Sequence, residues 1–413
     1  MTLATKPGVD NVNIIDPEQY VQGLPHEKWT LLRAKAPVFW HEPWGPFPGF
    51  WAITRYNDII RVSRDPNTFI SGLGITAGDN VDQPDPEAGH GTMMITTDPP
   101  RHVRLRRLVN KGFTPRMVAT LEPHVRDIVT RIIDEIAGLG GCDFVTDVAS
   151  LLPLAVICDM MGVPQPDWPL MFDLTNRVLG ADDPEYQTPG SNAFETSYGA
   201  RMEMFGYFAA MVGQRRGKPK DDLLTVLVGA DIEGDVLTDE EILFFCFLLI
   251  VAGNETTRNA TSGGMLALAQ HPEQRQKLLA DPALLPGAIE EILRWTSPVL
   301  HMARVATTDA ELGGQLIRKG QKLIMWYPSA NRDESVFPEP FRFNIERSPN
   351  EHLAFGIGEH FCLGASLARL ELRVMFEELT RRLPDIELAG EVERLRSNFI
   401  GGIKHMPVRF TAS

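Results

Sequence analysis

Residues 242–252 form the longest unbroken apolar run in the chain, and they follow Thr238 and Glu241 at the spacing of a capping box. A buried helix is therefore predicted to open there and continue to Gln270. The run is too short to span a bilayer. The apolar stretch 151–161 predicts a second buried helix, and further helices are predicted over 101–111, 115–137 and 286–295, with another starting near Asn57 and Asp58. Strand patterns lie mainly toward the two ends: 50–54, Leu316 with Ile317, 323–326, Phe399 with Ile400, and 407–410. Gly401 and Gly402 separate the last two. Residues 182–192 and 328–350 are rich in turn-forming residues and read as irregular. The expected fold class is mainly α with small β-sheets. No repeat, low-complexity linker or charge block marks a boundary, so 1–413 reads as one domain, with 1–25 as an N-terminal extension.

Composition narrows the function without naming it. The 413 residues are 43% hydrophobic and 23% charged, which is ordinary for a globular protein with room for a deep core. A formal net charge of −14 argues against nonspecific nucleic-acid binding, which needs clustered cations. Cys142, Cys158, Cys246 and Cys362 are far apart and lack paired metal spacing, so reduced thiols and no disulfide framework are expected. The first ten positions carry no apolar core, so no membrane anchor is expected, and the expected location is cytoplasmic.

Cys362 carries the strongest chemical signal. It ends the loop Phe355-Gly356-Ile357-Gly358-Glu359-His360-Phe361-Cys362-Leu363-Gly364, and a helix-forming run starts at Ala365. Backbone N–H groups at a helix start are unpaired and partly positive. A thiolate there is stabilised, and N–H···S hydrogen bonds tune its electron donation. Gly358 and Gly364 would let backbone approach a large flat ligand, and Phe355 can pack against the metal side of it. The loop resembles the haem-binding loop of the cytochrome P-450 monooxygenases, Phe-x-x-Gly-x-x-x-Cys-x-Gly, at Phe355, Gly358, Cys362 and Gly364, and His360 fits the bacterial form of that motif. The resemblance covers nearly the whole chain. It implies the cytochrome P-450 fold, with haem b (iron protoporphyrin IX) between the long central helix and the helix after the loop, and Cys362 as the iron ligand.

Three other groups of residues gain meaning beside that loop. Glu291 and Arg294 share a helix face, where alone they are a surface ion pair of little energy. The resemblance makes them the family's Glu-x-x-Arg motif, completed by an arginine upstream of the loop, Arg347 or its competitor Arg342. Ala252-Gly253-Asn254-Glu255-Thr256-Thr257 interrupts an apolar helix with polar residues, and a threonine can bond back to the carbonyl four residues earlier and bend the helix. By resemblance this is the oxygen-activation groove, with Ala252 beside the haem, Thr256 as its hydroxyl and Glu255 as a proton relay. On the helix over 101–111, His102 and Arg106 share one face, while Arg104, Arg107 and Lys111 fall on the other. By resemblance His102 and Arg106 bind the haem propionates together with Arg304 and His360, because an arginine fork matches a carboxylate. The outer face is expected to meet an acidic ferredoxin.

The expected activity is insertion of one oxygen atom of O2 into a C–H bond, with electrons from a ferredoxin-type donor and its reductase. Stretches such as 158–164, 175–180, 252–260 and 329–335 resemble the branch that oxidises sterol side chains and methyl-branched lipids at a terminal carbon. A terpene-alcohol branch shares several of them, including Arg294-Trp295-Thr296 before Pro298-Val299. The expected pocket residues are Leu248, Leu249, Ala252, Val299, Leu300, Met302, Phe399 and Ile400, nearly all apolar, so a branched isoprenoid or sterol-like lipid is the expected substrate, ahead of a terpene or small aromatic. The stretches 71–97 and 180–200 are expected to form a mobile entrance. A haem-binding sensor without catalysis would keep Cys362 and need no proton relay; a peroxide-using relative would alter the acid–alcohol pair. Glu255 and Thr256 are both present.

Overall fold

Thr238 accepts the Glu241 backbone N–H at 3.2 Å while Glu241 accepts the Thr238 N–H at 3.0 Å, and this reciprocal cap opens the longest helix of the protein. The structure is a computed structural model that describes residues 8–9, 11–232 and 234–412; the side chains of Lys111 and Ile232 lie outside the description. The helices that position the site are α1 (His26–Lys35), α2 (Arg101–Val109), α3 (Glu122–Ala137), α4 (Leu151–Met161), α5 (Trp168–Leu179), α6 (Ala193–Gly217), α7 (Asp239–Gln270), α8 (Leu285–Thr296) and α9 (Ala365–Arg382). The strands are β1 (Val38–His41), β2 (Phe50–Ile53), β3 (Phe69–Ile70), β4 (His301–Ala306), β5 (Lys322–Trp326), β6 (Glu393–Arg394) and β7 (Ile403–His405), with smaller pieces at Gly141–Asp143, Ala310–Leu312, Gln315–Ile317, Glu387–Leu388 and Pro407–Arg409.

Helix α7 is apolar on nearly all sides because it is a wall between two cores. On one side it packs with α8 and α9, and α3 packs on α9 behind them; Ile133, Ile292, Leu372 and Phe376 are fully buried in that core. On the other it packs with α4, α5 and α6, where Leu174, Met204, Phe208 and Ile250 are buried. A helix so placed has no solvent face along most of its length, which accounts for its continuous apolar run.

The main sheet has the order β1-β2-β5-β4-β3, with β5 parallel to β2 and antiparallel to β4. Its register sets Met302 opposite Met325 and Arg304 opposite Leu323. Met302 and Arg304 are two apart, so they leave the same face of β4.

Several expected boundaries shift. Helix α2 ends at Val109 and passes into a tight turn at Asn110–Phe113, and 115–137 splits into Pro115–Thr120 and α3. Strand 399–400 shrinks to one bridge, Ile400 with Val299. Residues 180–192 are irregular, but α6 begins at Ala193 under a second capping box from Asn192 and Glu195. The stretch 71–97 is tied down rather than loose. Asp98 accepts the Ser71 and Gly72 N–H groups at 2.7 and 2.8 Å, and Lys322 reaches from β5 to the carbonyls of Ala77 and Asp79. Part of the expected N-terminal extension is core: Val9, Ile14, Ile15 and Tyr20 are buried with Trp29 and Trp326.

Candidate active site

The loop before α9 is shaped by its glycines. Gly358 has φ +80°, and a Cβ there would collide with the Ser63 carbonyl. The close neighbour that demands glycine at Gly358 is therefore protein backbone, not a ligand. Gly364 is different: nothing lies within 4 Å of where its Cβ would stand, so it leaves open space beside Cys362. The Cys362 N–H donates to the Phe355 carbonyl at 3.0 Å and folds the loop back on itself. Burial pushes the Cys362 thiol up, opposed by the Gly364 N–H and by the charges of Arg106 and Arg369. Arg369 lies 4.6 Å from the Phe355 ring centroid and forks onto Glu290 at 2.7 and 2.8 Å. This fastens the loop to α8 through α9.

Cys362 opens onto a cavity of about 1500 Å3, counting the part continuous with solvent. One wall is α7, which presents Leu248, Leu249, Ala252 and Thr256, and another is Val299 with Met302. The Thr256 hydroxyl donates to the Ala252 carbonyl at 2.7 Å, so this turn of α7 carries a carbonyl shared between its helix bond and a side chain. Phe355, Cys362 and Gly364 line the same cavity. The cavity also takes wall from Met94, Ile95, Phe113, Ile157 and Glu371, which sequence reasoning missed. Only Glu371 had a visible signal, a carboxylate set among Leu367, Leu370, Leu372 and Val374; burial pushes its carboxyl up to about 8.

Three expected pocket residues fall off the wall. Leu300 is fully buried among the N-terminal cluster with Trp29 and Trp326, and its side chain fills the space against Gly401. The Phe399 ring packs 5.3 Å from His301, on the far side of β4. Ile400 is buried where it bridges Val299. The turn at Gly401–Gly402 puts these side chains behind the cavity, and no local pattern reveals that.

At one end of the cavity stand His102, Arg106, Arg304 and His360. The His102 and His360 rings are 4.2 Å apart, and neither nitrogen of buried His102 has a hydrogen-bond partner among the described residues, although a Glu359 carboxylate oxygen stands 3.9 Å from its Nδ1. Burial, then the nearby arginines, hold His102 down at about 4 and His360 at about 2. Burial also lowers Arg304, which donates only to the adjacent Ala303 carbonyl. Four basic side chains gather here: Arg106 donates to the carbonyls of Glu359 and Phe361 at 3.1 and 2.6 Å, His360 meets the Ser71 hydroxyl at 3.2 Å, and the nitrogens of His102 are left without a hydrogen bond. That donor set fits a ligand bearing two carboxylates at one edge, and a thiol at the cavity floor fits its metal. The residues present therefore fit haem.

Away from the cavity, Glu291 and Arg294 are both fully buried and joined by a bidentate pair at 2.7 and 2.8 Å. The third member is Arg347, whose Nε reaches Glu291 at 3.1 Å; the Arg342 side chain points to solvent and Glu339. Arg294 also donates to the carbonyls of Asn331 and Pro340 at 2.8 and 3.0 Å, and Asn331 accepts the Leu353 N–H at 2.7 Å. The network therefore reaches the start of the Cys362 loop. Glu255 does not line the cavity; it is buried against Arg258.

Basic charge on the outer face of α2 is partly neutralised. Arg104 forks onto Asp235 at 2.7 and 2.8 Å and reaches Glu241 at 2.9 Å, while Arg107 is exposed. No helix among the described residues is long and apolar enough to cross a membrane.

Comparison with known proteins agrees with this geometry. The sequence profile of the family "Cytochrome P450" matches residues 40–384. The methyl-branched lipid omega-hydroxylase of Mycobacterium tuberculosis is 44% identical over 396 residues, covering 93% of this chain and 90% of that protein. The steroid C26-monooxygenase of the same organism is 40% identical over 418 residues, covering 98% and 93%. Cytochrome P450 CYP268A2 of Mycobacterium marinum, solved in complex with pseudoionone, superimposes with a TM-score of 0.90 at 38% identity over 99% of this chain and 100% of that one.

Proposed function

This chain belongs to the cytochrome P450 family, and on that premise we propose that it hydroxylates a branched isoprenoid or sterol-like lipid near its chain end. The observation that carries the reading is the lining of the cavity that Cys362 shares, where Leu248, Leu249, Ala252, Val299 and Met302 are apolar and the basic groups His102, Arg106, Arg304 and His360 cluster together. Such a lining recognises its ligand mainly by burial, at roughly 25 cal/mol per Å2. The two mycobacterial relatives, named for oxidation of a lipid terminus and of steroid C26, support the same class. The pseudoionone of the Mycobacterium marinum structure favours a terpene-derived substrate as the second reading.

Cys362 would hold the iron of haem b, and His102, Arg106, Arg304 and His360 would bind its carboxylates; the group would supply oxygen activation and radical chemistry when bound. The chain's own residues supply the setting. Apolar walls keep water from the reacting carbon. The Thr256 hydroxyl, now bonded to the Ala252 carbonyl, can turn to a guest in the groove of α7. Glu255 lies next to it in sequence and holds a proton more readily than an exposed glutamate does, because burial disfavours its charge. A ferredoxin-type carrier with its reductase would meet the outer face of α2 at Arg107.

The test is a titration of haem-loaded protein with branched-chain lipids, sterols, terpene alcohols and small aromatic acids, read as the spin-state shift of the haem band. Tight shifts with the lipids are expected. Tight shifts confined to the aromatic acids would overturn the substrate class.

A further inference from the structure

Glu255 and Arg258 lie one helical turn apart on α7, at 1% and 2% exposure, and their side chains form an ion pair. Arg258 does not give its whole guanidinium to that pair. Its Nη1 donates to Asn176 Oδ1 on α5 at 2.7 Å, and its charge lies 5.9 Å from the centroid of Phe172 on the same helix. Alongside, Asn254 Nδ2 donates to Thr175 Oγ1 of α5 at 2.9 Å. Arg258 Nε and Glu255 Oε1 are buried without a protein partner, so the pair is not saturated.

We propose that Arg258 is a positioning residue for Glu255, and that by dividing its guanidinium between Glu255 and Asn176 it ties the acid beside Thr256 to the seating of α5 on α7. The proposal rests on the reading of Glu255 as the acid partner of Thr256. Burial raises the Glu255 carboxyl, and Arg258 opposes that rise. Asn176 competes for the same cation. When α5 is seated and holds Nη1 of Arg258, only Nη2 of the fork donates to Glu255 and Oε1 stays unpaired, so the carboxyl keeps a proton more readily. When α5 moves off, the guanidinium falls wholly to Glu255 and favours the carboxylate. Few other groups act on the pair. Tyr186, from the segment between α5 and α6, is within electrostatic reach of both Arg258 and Glu255. Asp183 and Glu185 of that segment are engaged by Lys404, and Glu185 also by His405. Asn259 bonds the Glu255 carbonyl at 2.8 Å and carries no charge.

The test is the protonation of Glu255 in the haem-loaded protein, followed by the infrared C=O stretch of its carboxyl against pH and isolated by difference against Glu255→Gln. Arg258→Gln is expected to move the midpoint up by about one pH unit or more, roughly tenfold in the proton equilibrium. Asn176→Ala, which leaves Arg258 to Glu255 alone, is expected to move it down. Should Arg258→Gln fail to fold, Arg258→Lys keeps the charge, loses the fork and gives a smaller upward shift. Unmoved midpoints, or shifts of the same sign in both variants, overturn the proposal. Product formed per electron in Glu255→Gln separates the two ideas. A fall there without the opposed shifts defeats the role of Arg258 and leaves the acid's role standing; no fall defeats the acid's role and with it the purpose of the clamp.

Discussion

Thr256 donates to the Ala252 carbonyl at the point where α7 passes Cys362's cavity, so its hydroxyl is already held in the groove by a bond it can exchange. Thr256→Ala is predicted to keep consuming reduced nicotinamide through the partner chain while yielding less product and more hydrogen peroxide, and Thr256→Ser to recover most of the coupling. Product and peroxide assays per electron check this; unchanged coupling in Thr256→Ala would mean the hydroxyl only bends the helix. The residues of this groove were legible in the sequence because polar side chains inside an apolar helix stand out. Arg258 was not, since an arginine next to such a segment reads as surface charge until α5 is seen covering it. Gly358 was legible as a required glycine for an incomplete reason: its neighbour is the Ser63 carbonyl, almost three hundred positions away in the chain.

At the scale of elements, the buried Glu291–Arg294–Arg347 network pins the segment before the Cys362 loop onto α8. Arg347→Ala leaves a buried carboxylate with less compensation and is predicted to cost about 3 kcal/mol or more. Arg342→Ala, on an exposed side chain, is predicted to cost about 0.5 kcal/mol or less. Denaturant titration of both variants decides between them, and equal losses would contradict the assignment of Arg347. Glu290 holds α9 to α8 through Arg369, with His352 also in contact, and these partners hold its carboxyl down at about 2. Its folded value lies below the unfolded one of about 4.3, so its contribution is complete at neutral pH and is lost as pH falls from there toward 2. Glu290→Gln is expected to lower stability at pH 7 and to flatten that part of the acid unfolding curve. On α2 the inward and outward faces followed from helical period alone. That Arg104 is tied to Asp235 and Glu241 did not, because those partners are brought in by a turn and a helix start more than a hundred residues later. Arg107→Ala is therefore predicted to slow ferredoxin-driven turnover at low ionic strength with haem content intact, since exposed charges are screened by salt. No change in the salt dependence of that turnover would place the docking face elsewhere.

For the whole molecule, the sequence carried the long apolar helix, the thiol loop and their order, which was enough to expect an α-rich fold closing on one cavity. It could not carry the partnering of short strands. Leu300, Phe399 and Ile400 look like pocket wall by composition, yet the pairing of Leu300 with Phe399 and of Val299 with Ile400 turns them into the layer behind β4. The same long-range pairing brings Arg304 to His102 and His360, where four basic groups face one space. All of this geometry converges on Cys362 as the one side chain that would hold the iron. The reduced carbon-monoxide complex of the purified, haem-loaded protein tests that most directly. The account predicts the red-shifted band of a thiolate ligand, abolished in Cys362→Ala. A folded protein showing only the imidazole-type band, or a Cys362→Ala variant that keeps the thiolate band, would contradict it.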